Sequence, residues 1–489
     1  MNTGFRFQCN PEYRILDEDQ IKAIHRATLQ LLESTGVSVK HPEAVELLTS
    51  AGCPVKTGDI VRIPGALVEE CIESAPSGII IYDRNGCEAM HLEGSNVHFG
   101  LGTDLLHTYD PESGELRPSR LQDVANAAKI ADHFEDIDFV ASFAHPHEVP
   151  VNLSYIESFK AQIENTIKPI FFTAAGPEDM AIMIDMAAVV AGNRDYLIEK
   201  PFLIHYSEPT SPLTHSPGAI QKLFYCADNR IPVNYTPGML SGASGPVTQA
   251  GAITVANAEA LSGIVLHQLK SRGAPIISGF GISTMDMAMG TPIYGCPEYR
   301  LALSACADLY HYYGIPMWGT AGVSDAHCLD QQAAMEMAIS LLMAGLDGAN
   351  LVHDVGYLGQ GLIGSGAAIV MNAEIISYVK RILRGFDIDP DRIGLEVIEQ
   401  VGPGGNFLTT EQTMELHRHE HWRPMFANRA NLEQWQADGK KTYAEIAARK
   451  ALDILKTHQC EALPHQIQKD LDAIVEDAEA ALAGRHFNA

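Results

Sequence analysis

A chain of 489 residues exceeds one ordinary domain, yet a (β/α)8 barrel of roughly 250 residues with flanking helices would use it without a third domain. With 46% hydrophobic and 19% charged residues the whole chain is expected to fold, and a formal charge of −27 opposes attraction to nucleic acid and anionic lipid. There is no run of roughly 18 apolar residues and no leader with a basic start and an apolar core, so the expectation is a soluble, cytoplasmic protein. Nine scattered cysteines without a CxxC pair suggest neither a disulfide framework nor a cysteine-rich zinc site.

In chain order, Asp17 reads as the N-cap of a first helix whose apolar stripe, Ile21, Ile24, Leu29, Leu31 and Leu32, runs to Gly36. Residues 1–95 form an α-rich lead-in with a short β element at Ile79-Ile80-Ile81-Tyr82. Eight apolar runs follow, beginning at Val97, Asp138, Pro169, Phe202, Pro232, Pro275, Pro316 and Asn350. Their continuous rather than alternating apolarity is that of parallel strands buried on both faces. Helix-length segments at 119–134, 152–165, 178–191, 217–228, 248–271, 297–313 and 329–346 separate them, with a final helix near 372–385. Eight strand–helix pairs over 96–385 predict a (β/α)8 TIM barrel. Gly100-Leu101-Gly102 lacks the third glycine of a dinucleotide turn, which counts against a nucleotide cofactor. Residues 386–489 read as a helical C-terminal extension.

In a barrel the side chains at the strand carboxyl ends converge on one mouth. In this chain they are Asp104, His145, Thr173, Tyr206 with Glu208, Tyr235, Phe280, Thr320, and His353 with Asp354 and Tyr357. Aromatics and carboxylates without Lys or Arg suit a permanent cation, because a ring face attracts an ammonium that has no N–H to donate. Gly238–Gly245 and Gly356–Gly366, just past the fifth and eighth strands, offer backbone N–H groups to an anion or simply turn the chain. His145-Pro146-His147 and the run His417 to His421 invite a metal reading without the HExxH spacing. A metal-dependent lyase or hydrolase using His145 and His147 is therefore one alternative, and a noncatalytic quaternary-amine binding protein is another. No GxSxG elbow and no Cys–His nucleophile can be assembled.

Several short motifs stand in a recognisable order: Ser211-Pro212-Leu213, Gly245-Pro246-Val247-Thr248, Asn257-Ala258-Glu259, Gly295-Cys296-Pro297-Glu298, Asp330-Gln331-Gln332-Ala333 and Gly348-Ala349-Asn350-Leu351-Val352, preceded by Tyr109-Asp110, Gly114-Glu115 and Arg117-Pro118. In this order and spacing the chain resembles the trimethylamine methyltransferase superfamily over almost its whole length. Founding members carry pyrrolysine near what is here Gly322–Asp330, a stretch of ordinary residues in this sequence. The chain therefore resembles the branch without pyrrolysine, which includes glycine betaine:corrinoid protein methyltransferase and demethylates quaternary amines.

The resemblance implies a methyl transfer to the Co(I) corrinoid (cobalamin) of a separate corrinoid protein, with no bound metal of the chain's own. A quaternary nitrogen leaves as a neutral tertiary amine, so no general acid is needed. On this reading His353, Asp104 and Glu208 are the expected catalytic groups: His353 orients the substrate and a carboxylate compensates its charge. Tyr206, Tyr235, Phe280 and Tyr357 are the expected ring faces, and the N–H groups of Gly359 and Gly361 are expected to receive a substrate carboxylate. A homo-oligomer is also compatible with this class of enzyme.

Overall fold

A computed structural model describes residues 8, 9 and 11–482. All eight predicted strands form: β1 (His98–Leu101), β2 (Val140–Ala141), β3 (Ile170–Phe172), β4 (Leu203–Ser207), β5 (Val233–Tyr235), β6 (Ile276–Ser278), β7 (Trp318–Thr320) and β8 (Leu351–Val355). They pair in parallel as a five-stranded sheet, β2-β3-β4-β5-β6, and a three-stranded sheet, β7-β8-β1. At both seams the sheets meet through single parallel bridges, Gly100 to Phe139 and Ser278 to Met317. Every residue of β2, β3, β5, β6, β7 and β8 is buried, as their unbroken apolar runs require.

A helix follows each strand: α1 (Leu121–His133), α2 (Ser154–Asn165), α3 (Pro177–Ala191), α4 (Pro217–Asn229), α5 (Gln249–Lys270), α6 (Pro297–Tyr313), α7 (Gln331–Asp347) and α8 (Gly366–Leu383). Their ends are set by local chemistry. Ser216, Asp330 and Ser365 accept the first free N–H groups of α4, α7 and α8, and Gly192, Gly314 and Gly348 close α3, α6 and α7 in the left-handed conformation. The cap at Ser365 starts α8 six residues before the expected 372, because Gly366 opens the helix rather than ending a loop.

The lead-in holds the expected helix Glu18–Ser34, with Asp17 and Gln20 in a reciprocal capping box. Helices Pro42–Ser50 and Gly65–Ser74 follow it, and Gly78–Tyr82 pairs with Glu88–Glu93 as a hairpin. A small sheet at Val37–Val39 also pairs in parallel with Thr214–His215, which ties the lead-in to the loop after β4. Two further small sheets build on the loops beyond the strands' carboxyl ends. Gly238–Ser241 pairs with Gly281–Met285, and His107–Tyr109 with Ile363–Gly364. Among the described residues no helix is long and apolar enough to cross a membrane.

Candidate active site

Alternation along the strands decides which side chains meet. The rings of Phe172 and His205 lie 4.9 Å apart, tilted by 54°, and Phe172 packs on Phe159 of α2, so these residues face the helices. Their neighbours Phe171 and Tyr206 therefore face the other way. Phe171 meets His353 at 5.4 Å, and Tyr206 stacks on Trp318 at 6.3 Å with an interplanar angle of 11°. His353 also lies 5.7 Å from Tyr206 and 5.1 Å from Trp318. These contacts join β3 and β4 to β7 and β8, strands that are not hydrogen-bonded to one another across these pairs, so the rings meet in the space between the two sheets.

Three carboxylates stand above this floor. Asp104 leaves β1 at φ 61° and accepts from Ser142 Oγ (3.1 Å) and Thr173 Oγ1 (2.8 Å). Burial pushes its carboxyl up to about 6, against the lowering effect of those hydroxyls and of Lys222. Glu208, exposed at the rim of the site, accepts from Tyr206 Oη at 3.0 Å, and the desolvation of its inner side raises its pKa. Asp354 sits on β8 at φ 90°, buried, with Oδ1 2.9 Å from His353 Nδ1 in an alignment that makes no hydrogen bond. Left-handed backbone at a non-glycine residue costs on the order of 1–3 kcal/mol and persists where the surroundings over-determine it, often at functional sites. Among the described residues, two of the six non-glycine residues with positive φ are these acids.

Tyr294, from the long loop after β6, closes one side. Its phenol is pushed up by burial and by the charges of Asp354 and Glu208, and its backbone N–H is anchored on Asp325 Oδ1 at 2.8 Å. Tyr357 closes another side, its hydroxyl donating to Thr103 O and its ring filling the space above Gly102. Gly361 lies beside both tyrosine rings, and its φ of 76° suits a glycine.

The structure corrects four expectations. Tyr235 turns toward the helices: its ring lies against Gly263 of α5 and its hydroxyl bonds His215 Nδ1 at 2.8 Å. Phe280 packs against Tyr310 of α6. Neither ring joins the interior cluster: Tyr235 sits on the outward parity of β5, and Phe280 lies beyond the end of β6, past Gly279 at φ 150°. The Gly359 N–H is already spent on Ala326 O (2.8 Å), as are those of Gln360, Leu362 and Ser365 on nearby carbonyls, so of the two glycines expected to receive a carboxylate, Gly359 is engaged in the loop's own turn. The N–H groups of Gly242, Ala243, Ser244 and Gly245 are likewise spent inside their own turn.

Finally, cations do reach the site. Lys222 of α4 donates to Ala174 O (2.9 Å), and its charge acts on Asp104 and Glu208. Buried Arg300 of α6 donates to Thr320 O at 2.8 Å, and Asp354 favours its charge. Both arise on helices, outside any inventory of strand ends.

Sequence reasoning also missed Phe171 and Trp318, although both lie inside predicted strands; inward parity would have found them. Trp318 Nε1, His353 Nδ1 and Asn234 Nδ2 are buried without a hydrogen-bond partner in the structure. Such atoms are expensive to leave unpaired and mark where a ligand's polar group would be received.

His145 and His147 lie at 6.2 Å ring separation near Tyr155, and His417 is exposed, turned back on Thr413 O. Among the described residues, the group of three potential ligand side chains within reach of one ion is Asp132, His458 and Cys460. His458 Nε2 is already 2.7 Å from Asp132, Cys460 donates to Asn165 O, and burial beside Asp132 pushes its thiol up to about 12. That set ties the C-terminal chain to the end of α1.

A sequence profile described as Trimethylamine methyltransferase (MTTB) matches residues 4–483. A trimethylamine methyltransferase MttB of Desulfitobacterium hafniense is 32% identical over 467 residues, covering 94% of this chain and 93% of that protein. One from Methanosarcina barkeri is 34% identical, covering 98% of each chain. A glycine betaine methyltransferase of Desulfitobacterium hafniense strain Y51 is 30% identical over 472 residues, covering 96% of this chain and 98% of that one. Among solved structures, the monomethylamine methyltransferase of Methanosarcina barkeri aligns at 12% identity over 92% of this chain and 90% of that one, with a TM-score of 0.47. The chain belongs to the trimethylamine methyltransferase (MTTB) family.

Proposed function

We propose that the chain is a (β/α)8-barrel enzyme that moves a methyl group from a quaternary amine, glycine betaine first among candidates, to the Co(I) corrinoid of a separate carrier protein. Residues 96–385 form its catalytic barrel, 1–95 a lead-in and 386–489 an extension. The observation that carries this reading is the meeting of Phe171, Tyr206, Trp318 and His353 beneath Asp104, Glu208 and Asp354. Rings and carboxylates hold a fixed positive charge through the ring quadrupole and through Coulomb attraction in a site of low dielectric. A trimethylammonium can accept neither a proton nor a hydrogen bond. A site for it therefore needs no general acid, and the absence of pyrrolysine fits a donor that already carries its charge.

The chain's own residues bind, orient and shield. Tyr206 and Trp318 offer ring faces, and Glu208, held by the Tyr206 hydroxyl, supplies charge beside them. His353 fixes the far end of the substrate. A betaine's carboxylate finds the unpaired donors Trp318 Nε1 and Asn234 Nδ2, with Arg300 and Lys222 offsetting the nearby acids. When docked, the carrier's corrinoid supplies the nucleophile that accepts the methyl group. The loops beyond the strand ends expose Leu106, Val247, Met287, Met289 and Leu362, an apolar rim on which such a carrier can seat.

Isothermal titration calorimetry tests the binding half of this reading. Glycine betaine is expected to bind and dimethylglycine, lacking the fixed charge, to bind at least tenfold more weakly. Equal affinity for the two would overturn it.

A further inference from the structure

The walls of the site arrive in two ways. Tyr206, Trp318 and His353 ride on strands, where the ladder and its parity fix the direction of a side chain. Tyr294 follows a hairpin beyond β6, in which Gly281–Met285 runs out and Pro292–Ile293 returns, paired through Thr284 with Ile293 and Met285 with Pro292. The ladder ends one residue before Tyr294, and the hairpin's tip carries Met287 and Met289 at 67% and 75% exposure. Strand pairing therefore does not hold this ring at the site.

Asp325, on the loop between β7 and α7, takes that task. Its Oδ1 accepts from the Tyr294 N–H and its Oδ2 from the Gly295 N–H, each at 2.8 Å, so one carboxylate grips two consecutive amides. Bonds to an ionised acceptor are roughly twice as strong as neutral ones. The grip is itself braced from behind. Glu336 of α7 accepts from the Asp325 N–H at 2.9 Å and from Ser324 Oγ at 2.6 Å. It also fills the space beside Gly295, where an added Cβ would collide with its carboxyl group. Burial, and then the charge of Glu336, push the Asp325 carboxyl up against the pull of the two N–H bonds, so the pair of acids is held together at a cost. On its other side the Tyr294 carbonyl accepts from Arg300 at 3.4 Å, and the ring meets Tyr299 edge-on at 5.5 Å.

We infer that Asp325, braced by Glu336, is the positioning residue that holds Tyr294 as a wall of the cation site. For its ligand the inference rests on the quaternary-amine reading. The carboxylate touches no substrate; it acts through the ring, which must stand over the ammonium to attract it.

A double-mutant cycle read by calorimetry with glycine betaine tests the coupling on the full chain. Asp325→Ala is expected to weaken binding at least about fivefold, and Asp325→Asn, which keeps one acceptor, by less. In a Tyr294→Ala background Asp325→Ala is expected to add less than about twofold, because its route to the ligand is gone. Wild-type affinity in Asp325→Ala, or losses that multiply in the double variant, would overturn the inference. Should Asp325→Ala fail to fold, Asp325→Asn enters the same cycle under the same criterion. Hydrogen exchange on the unliganded protein separates the clamp from the betaine reading. Asp325→Asn is expected to speed exchange over residues 292–297 and to leave Ile276–Ser278 as in the parent protein. Faster exchange without betaine binding by the wild type would sink the betaine reading alone. Unchanged exchange over 292–297 would sink the clamp whether or not betaine binds.

Discussion

Burial pushes the Asp104 carboxyl up to about 6, so the native chain holds a proton there that the unfolded chain releases near 3.9. Between those values the native state binds more protons, and stability falls as pH rises through the window; the cost is complete above pH 6. Asp104→Asn is therefore expected to raise the thermal midpoint at pH 8 and to leave it nearly unchanged at pH 4. Binding runs the opposite way. The cation needs the ionised carboxylate, so quaternary-amine affinity is expected to weaken as pH drops through about 6, and Asp104→Asn to weaken it at pH 8. Calorimetry from pH 5 to 8 reads both effects.

Tyr206→Phe keeps the ring but removes the donor that stabilises the Glu208 carboxylate. The Glu208 pKa then rises further, and affinity is expected to begin falling at a higher pH than in the parent protein. An unmoved acid limb would show that Glu208 does not compensate the charge.

At the scale of elements, Gly263 and Gly218 make a matched pair. An added Cβ at Gly263 would sit 2.3 Å from the Tyr235 ring, which is fully buried and held by His215, whereas at Gly218 nothing lies within 4 Å. Alanine gains about 1 kcal/mol of helix propensity over glycine. Overpacking costs typically 1–3 kcal/mol. Gly218→Ala is thus expected to stabilise by roughly 0.5–1 kcal/mol and Gly263→Ala to destabilise by about 1–2 kcal/mol, as denaturant midpoints would show.

The strands were legible because burial on both faces writes itself as unbroken apolar runs, and the helices as the stretches of helical length between those runs. Asp104, Tyr206, Glu208, His353 and Tyr357 fall around one interior for the same reason: they end strands. Tyr235 does not, since an unbroken apolar run conceals which parity points inward, and Phe280 does not because it lies beyond the end of β6. Tyr294, Lys222 and Arg300 come from a long loop and from helices, where sequence position carries no register.

Several of the motifs that mark the family act as staples. Glu259 holds Ser211 and the Leu213 N–H, and Asn350 bonds three carbonyls near Gly94 while accepting from Met317 N. Arg117 bridges Asp110 and Asp123.

For the whole molecule, the parts divide the work. The parallel strands aim rings and acids at one interior, the lead-in braces the loop after β4, and the loops beyond the strand ends expose an apolar rim. A net charge of −27 draws cations toward the protein and has little to do with the fold. The account stands or falls on methyl transfer itself. The direct measurement mixes the chain with a reduced corrinoid carrier protein and follows the cobalt absorbance as glycine betaine, or separately dimethylglycine or trimethylamine, is added. A spectral change that marks methyl transfer with the quaternary amine, and none with either tertiary amine, is the predicted result. No change with any quaternary amine, or a change with trimethylamine alone, would contradict it.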